Sequence, residues 1–370
     1  MAVRPIAQED LDHILAHTVG LWEELRGQRV FLTGGTGFFG CWLLESFCHA
    51  NRELALNATA TVLTRNPDAF TQKAPHLASD PAIHIHAGDV RSFTFPPDDH
   101  AFIIHAATDS GGQQGASRAL DLLDTIVEGT RHTLDFARTR GTRKFLLTSS
   151  GAVYGKQPSN LIHIPEDHHG APDPLLAASN YGEGKRMAEH LCALYGAEAA
   201  QKTPEKVGFV NENDSESHSF ACKIARCFAF VGPHLPLDAH FAIGNFMRDA
   251  MAGNAIEIGG DGTPHRSYLY AADLMIWLWT ILFRGQPSRA YNVGSEDSLS
   301  IQQLAQAAAD ALHPSLRIHV AKRAIPGAPI SRYVPSTQRA QHELGLSQRI
   351  SLVDAMQRTA RWHGPVTSGE

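Results

Sequence analysis

The chain has 370 residues, 43% of them hydrophobic and 19% charged, with a formal net charge of −6. That length and apolar content suffice for a large buried core, and the balance of charge gives no basic surface for nucleic acid and no polar tail. The five cysteines are odd in number and form no C-x-x-C pair, so they read as small buried hydrophobes in a reducing, cytoplasmic compartment.

The N-terminus carries Glu9, Asp10 and Asp12 in place of a basic, apolar leader, and no window reaches membrane-spanning length. Residues 1–28 read as an added helix, because Leu11, Ile14, Leu15, Val19, Trp22 and Leu25 recur at helical spacing; its expected role is packing against the first lobe. From Arg29 onward, short apolar runs alternate with helical stretches. "RVFLT", "TATVLT", "AIHIHA", "AFIIHAA", "RKFLLTSS" and "FACKIARCFAF" read as strands, and residues 115–139 and 182–199 as amphipathic helices. The runs are nearly all apolar, which suits strands buried on both faces of a parallel sheet. Residues 200–219 are polar and aperiodic and read as a surface insertion within a 29–228 unit. From 229 to 370 the pattern loosens into Pro- and Gly-rich loops, read as a smaller lobe with some segments returning to the first.

The stretch "FLTGGTGFFG" follows the first strand and opens a helix. Glycines there leave backbone N–H groups unshielded at the positive end of a helix, where phosphates can approach. Thr33, Gly34, Gly37, Phe38, Phe39 and Gly40 are the expected contacts, although the G-x-x-G-x-x-G spacing differs by one residue from the usual dinucleotide fingerprint. At the end of the second strand, Thr64 and Arg65 stand where a carboxylate would hold the ribose of NAD. A guanidinium there favours NADP over NAD, the alternative being a solvated arginine. Asp89 and Val90, and then Ala106, Ala107 and Thr108 of "HAAT", end the third and fourth strands on the same edge and would flank adenine and the nicotinamide ribose.

Tyr181 and Lys185 lie four residues apart, hence on one helical face. A phenol is a poor base at neutral pH, and a neighbouring ammonium favours its ionised form. "SSGAVYG" ends the fifth strand about 30 residues earlier and brings a serine pair to the same edge. The histidine pairs His13/His17, His84/His86 and His168/His169 lack a third ligand at metal-site spacing and are read as structural.

With these motifs assembled, residues 29–300 resemble the extended short-chain dehydrogenase/reductases of the NAD-dependent epimerase/dehydratase family that acts on nucleotide sugars. The resemblance implies an α/β fold, a Rossmann-type doubly wound parallel sheet with a smaller, interleaved C-terminal substrate lobe. It also implies a catalytic set of Ser150, Tyr181 and Lys185, with Lys185 holding the nicotinamide ribose as well. Asn245, Arg266 of "GDGTPHRSYLYAADL" and Asn292 of "YNVGS" are the implied substrate contacts, with Arg266 on the diphosphate. A homodimer paired through the helices at 115–139 and 182–199 is the implied assembly.

The departures bear on the reaction. Dehydratases of this family carry an Asp-Glu pair after the Ser or Thr, and sugar-acid decarboxylases a Glu just before "VYG"; here Gly151 and Ala152 stand there. Ala229 and Ile126 replace two of the family's asparagines. Glu166 and Asp167, in the loop before Tyr181, are expected to be solvated. A C4 epimerase is the leading expectation. An NADPH-dependent 4-keto-sugar reductase, a 4,6-dehydratase with relocated acids and, last, a non-catalytic dinucleotide sensor are the alternatives.

Overall fold

The computed structural model describes residues 3–108, 116–201, 220–239 and 241–364; residues 202–219, most of the expected insertion, lie outside this set. The six sequence-read strands are present: β1 (Arg29–Thr33), β2 (Thr59–Thr64), β3 (Ile83–Ala87), β4 (Phe102–His105), β5 (Lys144–Ser150) and β6 (Ala221–Cys227). Four short strands follow, β7 (Phe230–Val231), β8 (Ile256–Ile258), β9 (His265–Arg266) and β10 (Leu269–Tyr270). Then come β11 (Ala290–Val293), β12 (Leu299–Ser300), β13 (Ile318–Val320) and β14 (Arg332–Tyr333).

Seven strands form one parallel sheet in the order β3, β2, β1, β4, β5, β6, β11. The order reverses between β1 and β4, which opens a crevice at the carboxyl edge where ligands of doubly wound sheets bind. The seventh strand comes from the loosely patterned later part of the chain.

Helices cover both faces because strand residues alternate between them. Val30, Leu32, Val62, Phe102 and Ile104 face one core together with α2 (Phe38–Glu53) and α8 (Ala271–Arg284). Phe31, Leu63, Ile103, Phe145 and Leu147 face the other, under α5 (Ala116–Thr139) and α6 (Asn180–Gln201). Every residue of α8 from Ala271 to Phe283 is buried, as expected of a helix that is apolar all round. All five cysteines are free and buried. Among the described residues no helix is long and apolar enough to cross a membrane. The later lobe packs α7 (Ala242–Met251) on α9 (Ile301–Leu312), and joins β12, β9 and β14 into a small sheet.

The N-terminal extension differs from the single helix expected. α1 (Gln8–His17) ends where the Thr18 hydroxyl bonds back to the Ile14 carbonyl at 2.7 Å, and a short 3-10 turn follows at Trp22–Leu25. It also does more than pack on the first lobe. Buried Asp10 accepts from the Tyr270 hydroxyl at 2.6 Å and from Arg358 Nη1 at 2.7 Å, so α1 is bonded to the start of α8 and to the C-terminal helix Leu352–His363. On its other side, the Ile6 N–H donates to Glu45 of α2 at 2.6 Å. Removing the carboxylate leaves the Tyr270 phenol without its acceptor and takes one partner from the half-buried Arg358, which keeps Asp354. Asp10→Ala should therefore lower stability by about 2 kcal/mol in denaturant unfolding, and a loss under about 1 kcal/mol would show that these bonds hold nothing together.

Candidate active site

The glycine turn is built by close contact. Gly34 has φ +73°, and a Cβ on it would lie 2.5 Å from the Ala106 carbonyl carbon; a Cβ on Gly40 would lie 2.3 Å from Gly35 Cα. No other residue lets β1, the start of α2 and the end of β4 converge this tightly. Gly37 precedes the first turn of α2, whose N–H groups open on the crevice edge. Thr33 Oγ1 accepts from Ala106 N at 3.2 Å and Ala107 N at 3.1 Å, which pins "HAAT" to the turn. It also bonds His105 Nδ1 at 2.8 Å, while His105 Nε2 meets Thr130 at 3.0 Å. Burial holds His105 down to about 3, so it is a neutral strut at working pH. The rings of Phe38 and Phe39 pack against each other, and Phe39 meets Phe230 edge-on at 5.2 Å.

At the adenosine end Thr64 is buried, Arg65 is exposed, and Asn66 caps the helix Pro67–Lys73. Asp89 is taken up by a residue that the sequence reading passed over: Arg91 donates to it from N, Nε and Nη2 at 2.9, 2.9 and 3.0 Å and holds its carboxyl below the usual range. Val90 is buried against Gly129.

The three expected catalytic residues converge at the carboxyl end of β5. Lys185 Nζ donates to Thr108 Oγ1 at 2.8 Å and to the Thr148 carbonyl at 2.9 Å, and burial lowers it to about 8. Burial raises the Tyr181 phenol, and the Ser150 hydroxyl works against that rise. Lys185 Nζ stands 5.9 Å from the centre of the Tyr181 ring, and desolvation is the largest influence on the phenol. Ser150 Oγ accepts from Ala152 N at 3.1 Å and lies 3.4 Å from the hydroxyl of Tyr333, a residue with no sequence signal. Tyr333 stacks on Phe228 at 4.7 Å, and β14 pairs it with Arg266 of β9, so the expected diphosphate ligand stands beside the catalytic cluster.

Phe228 has a second effect. A Cβ at position 151 would meet its ring at 2.6 to 2.9 Å, so a side chain at the first of the two positions where the family resemblance implies dehydratase acids would require the Phe228 ring to shift.

Two expectations fail. Asn292 is fully buried and its side chain is committed to protein: Oδ1 accepts from Tyr154 at 2.8 Å, and Nδ2 donates to the carbonyls of Ile164 and Ser336 at 2.9 and 3.0 Å. It belongs to the scaffold and has no amide hydrogen left for a substrate. Glu166 is not solvated; its side chain is buried, accepts from Asn292 N at 2.9 Å, and has its pKa raised by burial. The Asn245 amide nitrogen, turned to donate, reaches the carbonyls of Leu237 and Ala239 at 3.0 and 3.1 Å and so fastens the loop entering α7.

A model of the NAD dependent epimerase/dehydratase family matches residues 30–294. The chain belongs to this family. UDP-glucuronic acid decarboxylase 5 of Arabidopsis thaliana is 26% identical over 329 residues, spanning 89% of this chain and 87% of that protein. Among solved structures, UDP-glucuronic acid 4-epimerase of Bacillus cereus, in complex with UDP-glucuronic acid and NAD, superposes with a TM-score of 0.70 at 20% identity, covering 90% of this chain and 98% of that one. A dTDP-glucose 4,6-dehydratase of Streptomyces venezuelae with NAD bound gives 0.68 at 21% identity, covering 90% and 96%. The glycine contacts fit the dinucleotide that the family name implies, since only a Cβ-free backbone leaves this cradle open. Gly34→Ala should weaken NAD binding by at least about tenfold. An unchanged dissociation constant in calorimetry would remove the turn from the cofactor site.

Proposed function

We propose that this enzyme is an NAD(P)-dependent nucleotide-sugar epimerase that acts at C4 through a transient 4-keto sugar. The observation that carries the reading is the crowded position at Gly151. With Phe228 over it and Ala152 beside it, the proton-handling groups are hydroxyls and one ammonium: Ser150, Tyr181, Tyr333 and Lys185. Among the described residues no carboxylate is hydrogen-bonded to any of these four. Such a set suits chemistry that takes one proton from a hydroxyl and gives it back, and lacks the second acid or base that water elimination needs.

Tyr181 takes the proton of the C4 hydroxyl and later returns it, and Ser150 hydrogen-bonds the same oxygen. A nicotinamide bound at this edge supplies the hydride acceptor and donor, and its oxidised ring adds the positive charge that a desolvated phenol requires. Lys185, fixed by Thr108 and the Thr148 carbonyl, holds the ribose beside it. Arg266 pairs with the diphosphate of the sugar nucleotide through its planar fork. A homodimer is proposed through α5 and α6, where Leu120, Met187 and Leu194 are exposed.

One observation favours a second reading, an NADPH-dependent 4-keto-sugar reductase: burial keeps Tyr181 protonated, the form that reduction uses. Native mass spectrometry for retained cofactor, with chromatographic separation of the products from a panel of nucleotide sugars and their 4-keto forms, separates the two. An epimerase retains its nicotinamide and returns an isomer of equal mass without added cofactor, whereas consumption of NADPH with a gain of two hydrogens would replace the epimerase by the reductase.

Tyr181→Phe should cut turnover at least about a hundredfold with dinucleotide binding intact, and near-normal turnover would end its catalytic assignment. Arg65→Ala should weaken NADP more than NAD, by about 1 to 3 kcal/mol, if its guanidinium pairs with a 2′-phosphate. Equal losses for the two cofactors in calorimetry would return Arg65 to the solvent.

A further inference from the structure

The flank of α6 that faces away from α5 carries a second polar feature, a cavity of about 460 Å³ over the β6 and β11 edge of the sheet. Its volume lies within the range of small-molecule sites. Four guanidiniums, Arg186, Arg226, Arg289 and Arg339, line it against two carboxylates, Glu166 and Glu189. Each guanidinium also has a carboxylate partner: Glu183 for Arg186, Glu189 for Arg226, Glu343 for Arg289 and Glu166 for Arg339.

Both carboxylates are already engaged. Glu189 accepts from Arg226 at 2.7 and 3.0 Å and from the Ser149 hydroxyl at 2.5 Å. Glu166 accepts from Asn292 N, and its burial favours the neutral form. The guanidiniums are less fully used. Arg339 bonds the Ala290 carbonyl through Nη1, Arg186 bonds the Val153 and Gly170 carbonyls through Nη1, and Arg289 meets Glu343 through Nε and Nη2. Among the described residues, Nη2 of Arg186, Nη2 of Arg339 and Nη1 of Arg289 have no hydrogen-bond acceptor. Three of the four guanidiniums therefore keep an N–H group without an acceptor, and Glu166 Oε2, 4.0 Å from Arg339 Nε, is an acceptor without a hydrogen bond among the described residues.

We propose that this cavity binds a compact polyanion, a small molecule carrying phosphate or clustered carboxylate groups, at a site separate from the glycine turn and from Arg266. Guanidinium forks match both chemistries bidentately. Arg226 links the cavity to the catalytic end, because the Glu189 that it holds is the acceptor for Ser149, the neighbour of Ser150.

The test is calorimetry of the full chain, saturated with NAD, titrated with inorganic pyrophosphate at low ionic strength. Binding should appear at millimolar pyrophosphate or below, weaken as sodium chloride is raised, and fall at least about tenfold in both Arg339→Gln and Arg186→Gln, while Arg266→Ala leaves it in place. Arg186 is largely exposed, so its variant reports even if Arg339→Gln folds poorly. No heat from the native enzyme, an isotherm untouched by both substitutions, or loss of binding in Arg266→Ala alone would each overturn the proposal. Sodium citrate in a parallel titration tells a phosphate-selective site from one that accepts carboxylates.

Discussion

The arrangement around Ser150 hangs on one ion pair, Arg226 with Glu189. The side chains are 17% and 12% exposed, and breaking such a pair leaves a charge stranded in low dielectric. The guanidinium grips both carboxylate oxygens, the Tyr154 hydroxyl at 2.8 Å and the Glu166 carbonyl at 3.1 Å. Burial pushes the Tyr154 phenol up to about 12, so it remains a donor to Asn292 at any working pH. Through this knot the catalytic helix, strands β5, β6 and β11 and the loop after Ser150 are held in one geometry. A lysine, with a compact ammonium in place of a planar fork, does not span those directions at once.

A dry site has a consequence for charge. Burial pushes Tyr181 up and Lys185 down, both toward their neutral forms. The resting pair is therefore not the ion pair that its spacing suggests. A low dielectric that disfavours charge when the crevice holds no ligand strengthens every charge-assisted contact once a cationic ring and a diphosphate are enclosed.

What could be read from the sequence follows the range over which each constraint acts. Strands β1 to β6 are legible because burial on both faces forces continuous apolar runs, and Gly34 and Gly40 because only glycine tolerates that contact. The spacing of Tyr181 and Lys185 is a property of one helix. Glu189, another four residues on, carries the same signal and was overlooked. Tyr333 had none, since its partner Ser150 is 183 residues away. Asn292 shows the opposite error: a polar residue at a strand end looks free for a ligand, but its direction depends on Tyr154, Ile164 and Ser336, which meet only in three dimensions. Strands of two residues, such as β9 and β14, are defined by their neighbours and leave no periodicity.

The last parallel strand sets an order of events during synthesis. β11 completes the sheet beside β6, yet more than sixty residues of the later lobe separate the two in sequence. Until Asn292 emerges, β6 is an open edge with unpaired backbone groups, the Tyr154 hydroxyl lacks its acceptor and the Glu166 carboxylate its backbone donor. The seven-stranded sheet is complete only once β11 has emerged. A fragment that ends before β11 presents an unpaired, association-prone strand edge on β6 where the longer chain is sealed.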